Sequence, residues 1–282
     1  MPLIQEQPAE PEATGELGRS RTPSTGLRVS AVVVRRLSSY AGIVTLLLFW
    51  HFSVELGLFD RVILPPPLKV AETFGDMVAS GELQRHLIAS VKRISWGFAI
   101  ASVLGVLVGL LTGMSVVARR ILSPVIELIR PISPIAWIPL AILWFGIGEG
   151  PAYFVIFLAA FFPILVNTQK GVGSVALNHR RAAACCGISG LALARKVYLP
   201  SALPDIMAGL RIGLGISWMA VIAAELVSAQ SGLGYLIGVS RQLFATEKIL
   251  VGMVTIGVVG YGMSTGMLWL ERRLAPWADG TR

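Results

Sequence analysis

ISWGFAIASVLGVLVGLLTGMSVVA, residues 94–118, runs for 25 positions without an Asp, Glu, Lys or Arg. Wound as a helix at 1.5 Å per residue, it is longer than the roughly 30 Å hydrocarbon core of a bilayer. Four other blocks, 37–54, 131–148, 150–169 and 249–270, are equally free of charge, and 212–240 carries only Glu225. Across all 282 residues 54% are hydrophobic and 14% charged, with a mean hydropathy of +0.71. A soluble domain carries about 25% charged residues. These blocks exclude a water-soluble enzyme and specify an all-α polytopic membrane protein.

The net charge of +8 does not mark a nucleic-acid partner, because no folded basic domain carries it. The cations fall in alternate loops instead. They lie at Arg19, Arg21, Arg28, Arg35 and Arg36, then Arg119 and Arg120, then Lys170 to Lys196, then Arg272 and Arg273. With these segments inside, 15 of the 24 Lys and Arg are cytoplasmic, in accord with the positive-inside rule. Both termini are then cytoplasmic. The two cysteines, Cys185 and Cys186, are adjacent and read as reduced thiols rather than a disulfide or metal site.

Residues 1–36 are expected to form a disordered cytoplasmic tail, since their Pro, Glu, Ser, Thr and Gly cannot bury a core. Residues 37–275 form the membrane domain, and 276–282 a short cytoplasmic tail. Spans are expected at about 38–56, 88–114, 121–146, 151–170, 204–228 and 249–270. After Leu64-Pro65-Pro66-Pro67, residues 68–85 read as an amphipathic surface helix.

The motifs are few. No G-x-x-x-x-G-K-[ST] occurs, so this chain holds no Walker-type nucleotide cradle. Ala101, Gly105, Gly109 and Gly113 form a small-residue stripe suited to close helix packing. Pro124, Pro131, Pro134 and Pro139 crowd the third span, which reads either as a translocation pathway or as ordinary kinking. Glu127 and Arg130 are spaced to pair at i, i+3, or to sit at the inner surface. Glu225 reads as a structural hydrogen-bonding group or a substrate contact, and Asn167 and Thr168 as pore-lining candidates. With Pro134, these residues make up the candidate path.

The loop 171–203 is too apolar to be a disordered linker. RAAACCG (181–187) and LALARKVYLP (191–200) read as two short helices at a turn, ended by Pro200 and Pro204, with Arg180, Arg181, Arg195 and Lys196 in water. A helical knob of this kind suits docking in a groove of a soluble partner.

Ala182-Ala183-x-x-x-Gly187, followed after nine residues by Val197-x-Leu199-Pro200, resembles the EAA loop of binding-protein-dependent ABC importer permeases. LPPPLKV (64–70), ASVKRISWGF (89–98), RPISPIAWIPLAILWFGIGE (130–149) and FFPILVNT (161–168) resemble the branch serving nitrate, aliphatic sulfonates and taurine. The resemblance covers about 40–275. It implies the six-helix type I importer permease fold in a bacterial inner membrane. It also implies a second permease copy as homodimer, a cytoplasmic ABC ATPase dimer holding ATP and Mg, and an extracytoplasmic substrate-binding protein. The ATPase-coupling role falls on Arg181, Ala182, Ala183, Gly187, Val197, Leu199 and Pro200. Arg181 departs from the pattern, which has Glu there. The chain itself would carry no cofactor. A secondary transporter or channel working without ATP is the rival reading, disfavoured by the lack of an internal repeat or of matching broken helices in two halves, and by the few buried carboxylates to relay protons. A membrane scaffold is a third.

Overall fold

The computed structural model describes residues 41–276 apart from 43 and 61. The tail 1–36 and all of 276–282 but Pro276 lie outside the described residues. The chain divides into two compact units between Phe52 and Ser53. Helix α1 (Val44–Glu55) straddles that boundary. The second unit holds α2 (Pro67–Ala79), α3 (Glu82–Met114), α4 (Val116–Ile129), α5 (Ile138–Phe145), α6 (Glu149–Gly173) and α7 (Leu177–Cys185). It continues with α8 (Gly190–Leu193), α9 (Leu199–Ser228), α10 (Leu233–Gln242) and α11 (Thr246–Leu274). No strand occurs among the described residues.

Its centre is α6, clasped between α3 and α9 by small residues. A Cβ placed on Gly97, Gly109 or Gly113 of α3 would lie 2.6–2.7 Å from Ile156, Thr168 or Val172 of α6. On the other side, Gly171 of α6 meets Ala202 and Asp205 of α9, and Gly209 and Gly213 of α9 meet Asn167 and Ala160 of α6. Lipid tails are as apolar as leucine, so helices in a bilayer associate through close packing, which such small residues allow.

These pairings fix the directions. Higher numbers on α3 meet higher numbers on α6, so the two run parallel. On α9 and α6 the order is reversed, so they run antiparallel. The segment between α3 and α6 must therefore return through the full depth of the bundle. It does so as α4 and α5, joined through a 3₁₀ turn at Pro134–Trp137 and bent by 84°. It is a broken span, not a shallow re-entrant loop. Trp218 Nε1 of α9 donates to the Ile256 carbonyl of α11 at 3.0 Å, and Arg211 pairs with Glu271 at 3.2 Å. Helix α11 thus descends beside α9, and its C-terminus emerges at the end of the bundle that carries α7, called here the loop end.

Four helices, Glu82–Met114, Glu149–Gly173, Gly190–Ser228 and Thr246–Leu274, are long and apolar enough to cross a membrane, and the broken pair makes a fifth crossing. Helix α1 is apolar but only its last 12 residues form a continuous described helix, and the expected span from 38 begins outside the described residues. Six spans are consistent with this arrangement.

Three expectations change. The third span is not one helix over 121–146. Pro131 and Pro134 lack the N–H groups that would continue it, and Ser133 is extended, as a residue before proline must be. Secondly, Pro200 and Pro204 do not end the loop helix. Gly190–Ser228 is one continuous 39-residue helix, because a π turn at Ala194–Tyr198 widens the backbone just ahead of Pro200. There the Leu199 N–H donates to the Ala194 carbonyl five residues back, making room for the Pro200 ring, while Pro204 is carried inside α9. Thirdly, α10 occupies part of the stretch between the expected spans 204–228 and 249–270, where the sequence reading places no helix.

Candidate functional site

The break in the third span opens a cavity of about 340 Å³. Arg130, Pro134 and Trp137 line it from the break, Phe162 and Asn167 from α6, and Ile212 from α9. Pro163, inside α6, frees a carbonyl in the turn before it, and Asn167 Nδ2 donates to the Pro163 carbonyl at 2.8 Å. The result is an apolar, partly aromatic chamber with an amide and a guanidinium on its wall. Arg130 is exposed and makes no ion pair among the described residues. The pairing with Glu127 that the i, i+3 spacing allows does not form. Helix α4 ends at Ile129, so Arg130 sits at the turn while Glu127 stays exposed on the last helical turn.

Of the candidate path residues, the structure gathers Arg130, Pro134 and Asn167 at this cavity. Thr168 is on another face of α6: it is fully buried against Gly109 of α3, and its Oγ1 donates to the Ile164 carbonyl at 2.7 Å. It is a packing residue, polar in composition but satisfied within its helix. Glu225 lies at the end of the bundle opposite the loop.

There Glu225 is the floor of a buried charge cluster that the sequence alone does not reveal. Arg93 of α3 is 1% exposed and Glu225 of α9 is 1% exposed. Arg93 Nη1 donates to Glu225 Oε1 at 2.7 Å, while its Nε and Nη2 fork onto both oxygens of Glu149, the first residue of α6. The same guanidinium donates to the Ser231 carbonyl and Oγ, each at 2.7 Å. Glu225 also accepts from Ser90 Oγ at 2.8 Å and from the Gly234 amide at 2.9 Å, and Ser90 Oγ accepts from the Leu233 amide. Gly232, at φ +115°, lets the chain pass directly over the Glu225 carboxylate, where a Cβ would collide with it. No buried side-chain N or O among the described residues lacks a partner. Two carboxylates around one arginine, all hydrogen-bonded, form a stable arrangement inside a membrane protein. The cluster ties α3, α6, α9 and the start of α10 together. Its one trace in the sequence is Glu225 alone in an apolar block, a group that must find polar partners there without the sequence saying which.

The loop end is built differently. Helix α7 closes with a Schellman motif: the Ile188 amide donates to the Ala183 carbonyl at 2.9 Å and the Gly187 amide to the Ala184 carbonyl at 3.0 Å. Gly187 takes φ +69° there, a conformation that favours glycine, and so turns the chain between the two short helices. Ala183 and Tyr198 are buried, the latter against Val172, Val175, Ala202 and Ile206, which anchors the loop on α6 and α9. Arg181, Ala182, Gly187 and Pro200 are exposed, and Val197 and Leu199 half-buried. The loop is thus an ordered knob with one face on the bundle and the other in water. No group of three or more His, Cys, Asp or Glu suited to a metal occurs among the described residues.

Comparison with known proteins agrees with this geometry. Residues 101–279 match the family model described as binding-protein-dependent transport system inner membrane component. The chain is 39% identical over 246 residues to the taurine transport system permease protein TauC of Escherichia coli, covering 85% of this chain and 89% of that protein. It is 36% identical to the putative aliphatic sulfonates transport permease protein SsuC of Bacillus subtilis, over 82% of this chain and 83% of that one. It is 35% identical to the bicarbonate transport system permease protein CmpB of Synechococcus elongatus, over 82% and 87%. An inward-facing structure of the MetNI methionine ABC transporter shares the fold, with a TM-score of 0.58 at 19% identity over 66% of this chain and 92% of that chain. A bundle with no nucleotide cradle, a broken span and an ordered loop between α6 and α9 is thereby placed: the chain belongs to the binding-protein-dependent transport system inner membrane component family and is the multi-pass permease subunit of an ABC importer.

Proposed function

We propose that this permease moves a small oxyanion, of the sulfonate, taurine, nitrate or bicarbonate kind, through the cavity at the broken span. One observation carries the reading: Arg130 stands unpaired at an apolar chamber that also holds Asn167. A guanidinium presents its donors as a planar fork suited to a sulfonate or carboxylate. The relatives named for taurine, sulfonates and bicarbonate support an anionic cargo. They do not favour an ATP-independent carrier or channel.

The rest of the assembly follows from the same reading. Two identical copies face each other, a cytoplasmic ATPase dimer holds ATP and Mg and performs the hydrolysis, and an extracytoplasmic binding protein delivers the solute. This chain holds no cofactor. The loop 171–203 seats on the ATPase, with Arg181, Ala182, Ala183, Gly187, Val197, Leu199 and Pro200 as its coupling residues. Closure of the ATPase dimer swings the loops and reverses the access of the cavity. The 15 inner cations support an inner membrane orientation with both termini cytoplasmic.

The test is uptake of labelled taurine into proteoliposomes containing this chain, its ATPase and its binding protein. Uptake that depends on ATP and falls about tenfold in R130A, a loss of about 1.4 kcal/mol, supports the proposal. Uptake of equal rate without ATP, or an R130A variant equal to the wild type, overturns it.

A further inference from the structure

The loop 171–203 contains no Asp or Glu, yet it carries Arg180, Arg181, Arg195 and Lys196. All four are exposed, and none makes an ion pair among the described residues. The first acid after the loop, Asp205, is engaged by Lys170 at 3.2 Å. Beside the cations, Leu177 is 52% exposed and Leu191 84% exposed. The knob is nevertheless held in one shape by the Schellman motif at Gly187 and by buried Ala183 and Tyr198. An ordered surface that keeps four like charges together, without a counter-ion of its own, is complementary to an acidic surface elsewhere.

We infer that the loop seats in an apolar cleft of the partner ATPase whose rim is lined by carboxylates, one of them opposite Arg181. This rests on the coupling-loop reading above and specifies the chemistry of the surface that receives it. Arg181, where the loop pattern has Glu, adds a cation to this surface in place of an acid. The alternative occupant, an anionic bilayer surface, fits less well. Helix α7, LNHRRAAAC, has a single leucine and otherwise small or polar residues, too little apolar area to lie in a lipid interface. Its exposed Ala182, Ala184 and Cys185, with Cys186 just after it, instead permit close approach to a protein wall.

The experiment measures binding of the purified cognate ATPase to the full-length chain in neutral-lipid nanodiscs, from 50 to 400 mM NaCl. Binding weakened about tenfold across that range, and about tenfold in R181E at 50 mM, is expected, because screening at high salt removes exposed charge attraction. R181K should bind as the wild type does. Replacing one rim carboxylate of the ATPase by Lys should restore R181E. Affinity that is indifferent to salt and to R181E overturns the acidic cleft while leaving the docking itself intact. A wild-type chain that binds no ATPase at any salt overturns the docking reading. If R181E loses affinity for phosphatidylglycerol vesicles but not for the ATPase, the cations serve the membrane and the inference is wrong.

Discussion

The two ends of the bundle use charge in opposite ways. At one end Arg93, Glu149 and Glu225 meet around a guanidinium that is 1% exposed, and every buried polar atom there has a partner. At the loop end Arg180, Arg181, Arg195 and Lys196 stand in water without an acid between 171 and 203. Desolvation explains the first: the buried charges of Arg93 and Glu225 survive because they are paired, and Glu149 completes the pairing from the exposed side. The second is left open, which is stable in water and leaves its cations free to meet another surface. Charge that holds the fold is buried and complete, and charge that meets a partner is exposed and incomplete.

Variants at the two ends separate these roles. The largest effect is expected from R93A, which leaves Glu225 buried without its cation and should cost about 3–5 kcal/mol. A thermal unfolding midpoint in detergent equal to that of the wild type would show that the cluster does not hold the helices together. G232A comes next, at about 1–3 kcal/mol, because it forces a side chain into φ +115° and against the Glu225 carboxylate. Unfolding in detergent reads this too, and R93A combined with G232A should cost less than the two separately, since both act through Glu225. G187V is third, at about 1–2 kcal/mol confined to the turn after α7. It should abolish ATP-dependent uptake while leaving membrane insertion intact, and unchanged uptake would count against the coupling role of the loop. The smallest effect on stability is expected from R195Q, which should melt within about 1 °C of the wild type. If R195Q melted far below that, the loop cations would belong to the fold and the contrast between the two ends would fail.

Much of this architecture is legible in the amino-acid sequence. Charge-free blocks locate the spans, and the stripe at Gly105, Gly109 and Gly113 announces a close helix contact, though not that its partner is Ile164, Thr168 and Val172. The prolines at 131 and 134 signal the break, and Gly187 signals the turn. What periodicity cannot give is pairing at a distance. Arg93 and Glu225 are 132 residues apart, and nothing local in ASVKRISWGF distinguishes Arg93, which turns inward, from Lys92 beside it. Adjacency groups Thr168 with Asn167, yet consecutive residues of a helix point about 100° apart, one to the cavity and one to α3. Pro200 does not act as a stop because a π turn precedes it, Pro204 is carried inside α9, and no composition rule signals such a turn.

That continuous helix has a mechanical consequence. Gly190–Ser228 is 39 residues, about 58 Å of one rod, with Arg195 and Lys196 near its first turns and Glu225 near its last. Tilting such a beam by about 5° around its middle carries the two tips about 2.5 Å in opposite directions. The knob and the buried cluster thus sit at opposite ends of one helix, so any tilt of that helix moves both at once.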